Sequence, residues 1–515
     1  MKEPGRGGFD LPPVYKEDRD FVVKALNRGD VDYAALSRWQ FPDEFLCFAL
    51  ETGFFDFVDR SYPTPRKKTE VPIWFLSHCQ LILRLHLSGR YDQLNHFLSA
   101  GSILSRVGFN IGNPHLGFNG KNRSERKTAV NPDTVRKFFK DSDRNEIRNW
   151  YNESVQGWFR GKRAFDSQGI FILDQTHLVV PDNSNYEEAV IMPVDEHGQL
   201  YSGYDRLTDE QKKVLPRHPC YALSLLLNVN PGGDLFHIAG YEYGPGNEDE
   251  LVQARRLLPD FCRVYRGTIR ELIIDRGYID GEFLGTMKRD HGVDVLIPLK
   301  SSMSSYQDAV AIAERQNAWE RTEHVTDATG KLLKETFSQG VLAVDLWNEC
   351  PVKLTIYVSK TKRWSTTHAR YDEYTWVLGA TKCYPSVQAA IDRYGMRAQI
   401  EEKNRQFKLG WEIGKFTSPA ASLMESHICF TLLTYSLLQL YMRRQDLRDQ
   451  TNRMMIQLQN EERMSGGAIT VYSEDHYGVL SLREYSEILL QLDETAKRKI
   501  LAMQTTPHGD MRRPE

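Results

Sequence analysis

The chain has 515 residues, about three or four domains' worth allowing for one domain inserted in another, and its 41% hydrophobic and 11% aromatic content supplies ample core material. With 66 Lys+Arg against 69 Asp+Glu the formal net charge is −3, which excludes a globally basic nucleic-acid binder and confines any DNA contact to local patches. Seven scattered cysteines, an odd count without a C-x-x-C pair, fit reduced cytosolic thiols better than a disulfide frame or a zinc site.

The opening MKEPGRGGFDLPP lacks the apolar core of a signal peptide, so a cytoplasmic protein is expected. Residues 1–165 read mostly as helix, with apolar residues at helical spacing in WFLSHCQLILRLHL and YDQLNHFLSAGSILSRV. Residues 91–108 break around Ala100-Gly101, which suits a helix-turn-helix and a plain helical hairpin alike. Basic residues cluster along this region: Arg66, Lys67 and Lys68; Lys121, Arg123, Arg126 and Lys127; Arg136, Lys137 and Lys140; Arg160, Lys162 and Arg163. Any one cluster is compatible with a solvated face, but together they make residues 1–165 the candidate DNA-binding region, because phosphate neutralisation drives such binding.

At Gly169 the pattern changes to GIFILDQTHLVV, a nearly continuous apolar run that predicts a buried strand interrupted by Asp174. A desolvated carboxylate there needs a partner or a metal. Residues 182–219 are polar and turn-rich and read as an insertion. CYALSLLLNV and LFHIAGYEYG then predict two antiparallel strands, and Asn247 with Glu250 predicts a capping box for a helix through NEDELVQARRLL. IRELIIDRGY predicts another strand running into Asp275, with Gly277 permitting a sharp turn before a helix over residues 279–290. VDVLIPLK predicts a fifth strand.

Residues 301–386 open with a polar helical piece and continue in three strand-like runs, GVLAVDLW, VKLTIYVS and YTWVLGATK. They read as a β-rich block, of which residues 374–382 also fit an extension of the main sheet. Trp364 lies among Lys360, Lys362 and Arg363, a setting suited to stacking on an unpaired base and equally to core filling. Trp347 and Trp376, inside strand-like runs, fit core positions.

Residues 394–408, YGMRAQIEEKNRQFK, predict a single helix. At about 100° per residue, Tyr394, Arg397, Glu401 and Lys408 project at roughly 0°, 300°, 340° and 320°, sharing one face. Residues 428–442, ICFTLLTYSLLQLYM, form the greasiest run, shorter than a bilayer span and interrupted by Thr, Ser and Gln, so a buried helix with no membrane role is expected. The stretch 447–515 is expected to be helical and either packs on the rest or pairs with another protomer.

The spacing Tyr394-x2-Arg397-x3-Glu401-x6-Lys408 resembles the YREK signature of DDE-type insertion-sequence transposases, insertion-sequence family four. Asp275-Arg276-Gly277-Tyr278, 101 residues after Asp174 and 126 before Glu401, is similar to that family's second-aspartate motif. The resemblance implies an α/β, ribonuclease H-like mixed sheet flanked by helices. It implies a catalytic domain in two parts, 166–300 and 387–446, around the β-rich insertion at 301–386. Asp174, Asp275 and Glu401 would then be catalytic and would bind two Mg2+ ions, with Mn2+ able to substitute. Tyr394, Arg397 and Lys408 would bind DNA phosphate, and Trp364 would stack on a base.

The implied reaction is cleavage at transposon ends followed by strand transfer of the 3′-hydroxyl into target DNA. The partners would be double-stranded DNA, as terminal inverted repeats and target, and a second copy of the chain in a synaptic homodimer. A nuclease on the same fold that cuts without joining, and a non-catalytic DNA-binding descendant of a transposase, are the alternatives.

Overall fold

The computed structural model describes residues 16–37, 40–67, 71–99, 130–182, 185–195, 199–201, 207–233, 236–344, 347–446 and 468–505. In chain order its elements are β1 (Lys16–Glu17), α1 (Arg19–Asn27), β2 (Tyr33–Ser37), α2 (Gln40–Glu51), α3 (Phe54–Ser61), α4 (Ile73–Leu85), α5 (Leu94–Ser99), α6 (Pro132–Asp141), α7 (Arg144–Asn149) and α8 (Gln156–Gly161). Then come β3 (Ile170–Val179), β4 (Val190–Pro193), α9 (Asp209–Val214), β5 (Arg217–Val229), β6 (Phe236–Pro245), α10 (Glu250–Val264), β7 (Glu271–Ile273), α11 (Gly281–Arg289) and β8 (Asp294–Pro298). After α12 (Ser304–Gln316) follow β9 (Glu320–Thr326), β10 (Leu332–Val344), β11 (Leu354–Ser365) and β12 (Arg370–Ala380). The chain ends in α13 (Val387–Gly395), α14 (Ala398–Leu409), α15 (Ala421–Arg444), β13 (Ala468–Ser473), β14 (His476–Ser481), α16 (Leu482–Gln491), α17 (Glu494–Met503) and β15 (Gln504–Thr505). Two compact units result, one of residues 1–158, 183–187 and 406–515, the other of residues 159–182 and 188–405.

The second unit is mixed α/β. Its 10-stranded sheet runs β4-β5-β3-β7-β8-β12-β11-β10-β9, with β6 sharing the outer edge of β5 with β4. Strands β3, β7 and β8 are parallel neighbours; β5, β6 and the run from β12 to β9 pair antiparallel. The core lies between this sheet and its helices: Phe171 and Leu173 of β3 meet Leu257, Leu258 and Phe261 of α10, and Leu284 and Met287 of α11 join them. Such residues recur every three to four positions along the helices and every second position along β3, so each element buries one stripe.

The strands of the expected insertion pair with the main sheet throughout, since β12 bonds to β8 through Leu378↔Pro298 and Ala380↔Leu296. Of the two placements open for residues 374–382, the main sheet is the one observed. Strand β9 is polar and largely exposed, and the first half of β10, LLKETFS, interleaves polar with apolar residues, so only the later, apolar half of β10 reads as a strand.

The first unit is helical around α15, whose residues from Leu423 to Met442 are all buried, as the apolar run predicted. Inside it the fully buried Glu425 carboxylate accepts from Arg148 at 2.7 and 3.0 Å, a pair whose two-point geometry offsets the cost of burying the charges. Its second element is a 5-stranded sheet, β1-β14-β13-β2-β15, built from both ends of the chain. Val22, Leu26, Ile469, Leu480 and Ile500 fill its core. The stretch 447–515, expected to be helical, therefore carries the β13–β14 hairpin; AITVYS alternates too weakly among charged neighbours to announce it. Among the described residues no helix is long and apolar enough to cross a membrane.

Two local expectations are corrected. Residues 394–408 are not one helix: α13 ends at Gly395 and α14 begins at Ala398. Between them Met396 N bonds Arg393 O, Arg397 N bonds Tyr394 O and Ile400 N bonds Arg397 O, a tightened i→i−3 turn that leaves Tyr394 on α13 and Glu401 on α14. The cap of α10 is Asp249, whose side chain accepts from Leu251 N at 2.7 Å, and not Asn247 with Glu250 in a capping box.

Candidate active site

Strand β3 is held by the ladder Ile170↔Glu271, Phe171↔Leu272 and Ile172↔Ile273 with parallel β7. Continuing that register two residues brings Asp174 beside Asp275, where adjacent strands lie about 4.8 Å apart. Asp174 is 9% exposed, set in the apolar strand; Asp275 caps the 3-10 turn Arg276–Tyr278 by accepting from Arg276 N at 2.6 Å.

Arg397, in the turn between α13 and α14, reaches the same point. Its Nη2 donates to Asp174 Oδ1 at 3.1 Å and to Asp275 Oδ2 at 2.9 Å, and its Nη1 donates to Glu401 one helical turn on. One guanidinium thus ties together the three acids expected from the sequence. From α14 the buried Asn404 adds a bond, Nδ2 to Asp174 Oδ2 at 3.0 Å. The Asp174 carboxyl is raised to about 6: burial lifts it most, Arg397 draws it down, and the charges of Asp275 and Glu401 push it up. For Arg397, burial opposes the charge but the surrounding Asp174, Asp275, Tyr394 and Glu401 outweigh it and raise its pKa.

Tyr394 stands at the edge of this cluster with its ring 5.2 Å from Trp376 of β12, and burial raises its phenol pKa. Lys408 lies exposed on α14, two turns past Glu401. Trp364 is on β11, five ladder steps from the Ser359↔Trp376 pair, with Lys331 Nζ 3.4 Å from its ring centroid and Tyr371 edge-on at 5.1 Å. The tryptophan beside the acidic cluster is therefore Trp376. Of the basic clusters, Lys68, Lys121, Arg123, Arg126 and Lys127 lie outside the described residues, as do residues 100–108 of the possible helix-turn-helix. Arg66 and Arg136 pair with Asp141 and Asp133.

Sequence reasoning missed Asn404, Trp376 and Glu250. Glu250, the first residue of α10, feels the charges of Asp174 and Asp275; burial first, then these neighbours, push its carboxyl up to about 7. Its Oε1 lies 1.3 Å from where a Cβ on Gly277 would stand. Gly277 is thus required for close approach and has no positive φ, which replaces the sharp-turn role expected for it.

Among the described residues no three acidic, His or Cys side chains stand at metal-ligand spacing, and the Arg397 guanidinium occupies the space among the carboxylates as a cation. The donors nonetheless fit a hard divalent ion: they are all oxygen, Asn404 Oδ1 is buried without a partner, and Gly277 leaves open space for a carboxylate.

Carboxylates at the ends of two parallel strands, joined by a third from a helix around one cation, define an α/β domain with a three-acid centre. Residues 166–437 match the family described as the transposase DDE domain, and as this covers more than half of the chain, the protein belongs to the DDE transposases. No curated protein matches the chain.

Proposed function

We propose that this DDE transposase cuts a phosphodiester at the ends of a mobile element and joins the freed 3′-hydroxyl to target DNA. The observation that carries the reading is the convergence of Asp174, Asp275 and Glu401, from distant parts of the chain, on the Arg397 guanidinium. The YREK spacing supports placing the chain in insertion-sequence family four, and the order of strands and helices from β3 to β8 supports a ribonuclease H-like domain.

In the first step a water oxygen bonds to phosphorus and the 3′ oxygen leaves, taking a proton to become the 3′-hydroxyl. In the second that hydroxyl bonds to a target phosphorus while the target's own 3′ oxygen leaves, so the number of phosphodiester bonds is conserved. Asp174, Asp275 and Glu401 would hold two Mg2+ ions, or Mn2+ in their place, which when bound polarise the attacking oxygen and stabilise the leaving one. Asn404 keeps Asp174 oriented through its amide. Arg397 is set to exchange its carboxylate partners for the scissile phosphate, where its planar fork suits two phosphate oxygens. Tyr394 and Lys408 would bind the backbone beside it, and Trp364 would take an unstacked base further along the DNA. The DNA partners are terminal inverted repeats and a target duplex; recognition of the ends falls to residues 1–165. A homodimer brings two ends together, and such a protein acts in the cytoplasm, at the nucleoid.

The test is incubation of the full chain with Mg2+ and a DNA carrying the inverted repeats that flank its coding region. Cleaved ends and strand-transfer products are expected. Asp174→Ala, Asp275→Ala and Glu401→Ala each abolish cleavage and leave end binding within about twofold. Cleavage without joined products would favour the nuclease.

A further inference from the structure

Four carboxylates, not three, gather at the ends of β3 and β7, and the fourth differs from the others. Asp174, Asp275 and Glu401 each accept a hydrogen bond from Arg397. Glu250 accepts none, and among the described residues its carboxylate has no hydrogen-bond or ion-pair partner; Lys300 acts on it only through its field. Its place is nevertheless fixed. Asp249 caps α10 and so sets its first turn, and the glycine two residues after Asp275 makes room for the carboxylate, since any side chain at Gly277 would collide with Glu250. In the same cluster the Oδ1 of the buried Asn404, whose amide nitrogen bonds Asp174, also lacks a partner.

A half-buried carboxylate without a donor, beside two others, costs free energy in the protein alone. The helix N-terminus offsets only a small part of that. An acid held in such a place by a cap and a glycine points to a cation that joins the cluster later.

We propose that Glu250 is a fourth carboxylate of the divalent-metal centre, acting with Asp174 and Asp275. The proposal rests on the metal-dependent reading of the site. It gives the glycine of the Asp-x-Gly motif a reason: Gly277 keeps the space through which Glu250 reaches the second aspartate.

Binding of Mn2+ to the full chain without DNA, followed by titration calorimetry, tests this on four proteins: wild type, Glu250→Gln, Asp275→Asn and, as a control on the exposed face of α11, Glu282→Gln. Glu250→Gln and Asp275→Asn should each weaken Mn2+ binding at least about tenfold, with Glu282→Gln unchanged. Melting gives a second readout. In EDTA Glu250→Gln should melt no lower than wild type, because it removes an unpartnered charge, whereas added Mn2+ should raise the wild-type Tm more than that of the variant. Gly277→Ala should weaken Mn2+ binding through Glu250, so its effect should vanish in a Glu250→Ala background.

Wild-type affinity in Glu250→Gln together with loss in Asp275→Asn overturns the assignment of Glu250 and leaves the metal reading standing. A Glu250→Gln variant that melts lower than wild type in EDTA makes the residue structural and overturns the assignment too. Full affinity in both variants, or no uptake by wild type, overturns the metal reading itself.

Discussion

Arg397 is the residue on which the centre turns. Its side chain is 16% exposed and faces Asp174 at 12% and Asp275 at 33%, so the charges it compensates are poorly screened. Arg397→Ala is expected to lower stability in EDTA by about 3 kcal/mol, as for other broken buried charge pairs, and Mn2+ should recover part of the loss; urea unfolding with and without the ion checks both. Arg397 and the three acids were legible in the sequence because fixed offsets and an acid inside an apolar strand are both unusual. Glu250 was not, because an acid at a helix start reads as a cap and only Gly277, distant in sequence, shows where it points. Asn404 is one polar residue among many on α14 until its bond to Asp174 is seen.

At the scale of elements, the turn bearing Arg397 is positioned by α13, and α13 is anchored to the sheet from below. Glu271 of β7, 3% exposed, accepts from Arg393 of α13 at 3.0 Å, from Lys382 at 2.6 Å and from the Tyr384 hydroxyl. Glu271→Gln removes the charge that both cations share. The expected result is a loss of about 3 kcal/mol and a fall in DNA cleavage, read by thermal melting and by an end-cleavage assay, with end binding retained. Strands β3, β5, β6 and β8 could be read directly because each is buried along nearly its whole length. Strand β9 could not, because its side chains are polar and the β10 ladder alone holds it in the sheet. The break between α13 and α14 was hidden for a different reason: an i→i−3 turn keeps near-helical backbone angles, so composition does not mark it.

At the scale of the whole molecule, the sheet joining the two chain ends has its own pH dependence. Glu51 of α2 is pushed up to about 7, first by burial and then by the charge of Glu17 on β1. Its folded-state pKa thus lies above its ordinary value of 4.5, so the stability it contributes is present below about pH 4.5 and is lost as pH rises through about 7. Glu51→Gln should leave the Tm unchanged at pH 4.5 and raise it at pH 8, as calorimetry at the two pH values would show. This sheet was the least legible part of the fold, since the partners of β2 lie at the opposite end of the chain and no local pattern announces so distant a pairing.

That same pairing sets a schedule for synthesis. Strand β2 leaves the ribosome roughly 430 residues before β13, and at 5–20 residues per second it waits on the order of half a minute for its hydrogen-bonding edge to be covered. The module is completed only once β13 has been made, so a translation product that stalls before residue 468 carries a bare β2 edge open to aggregation.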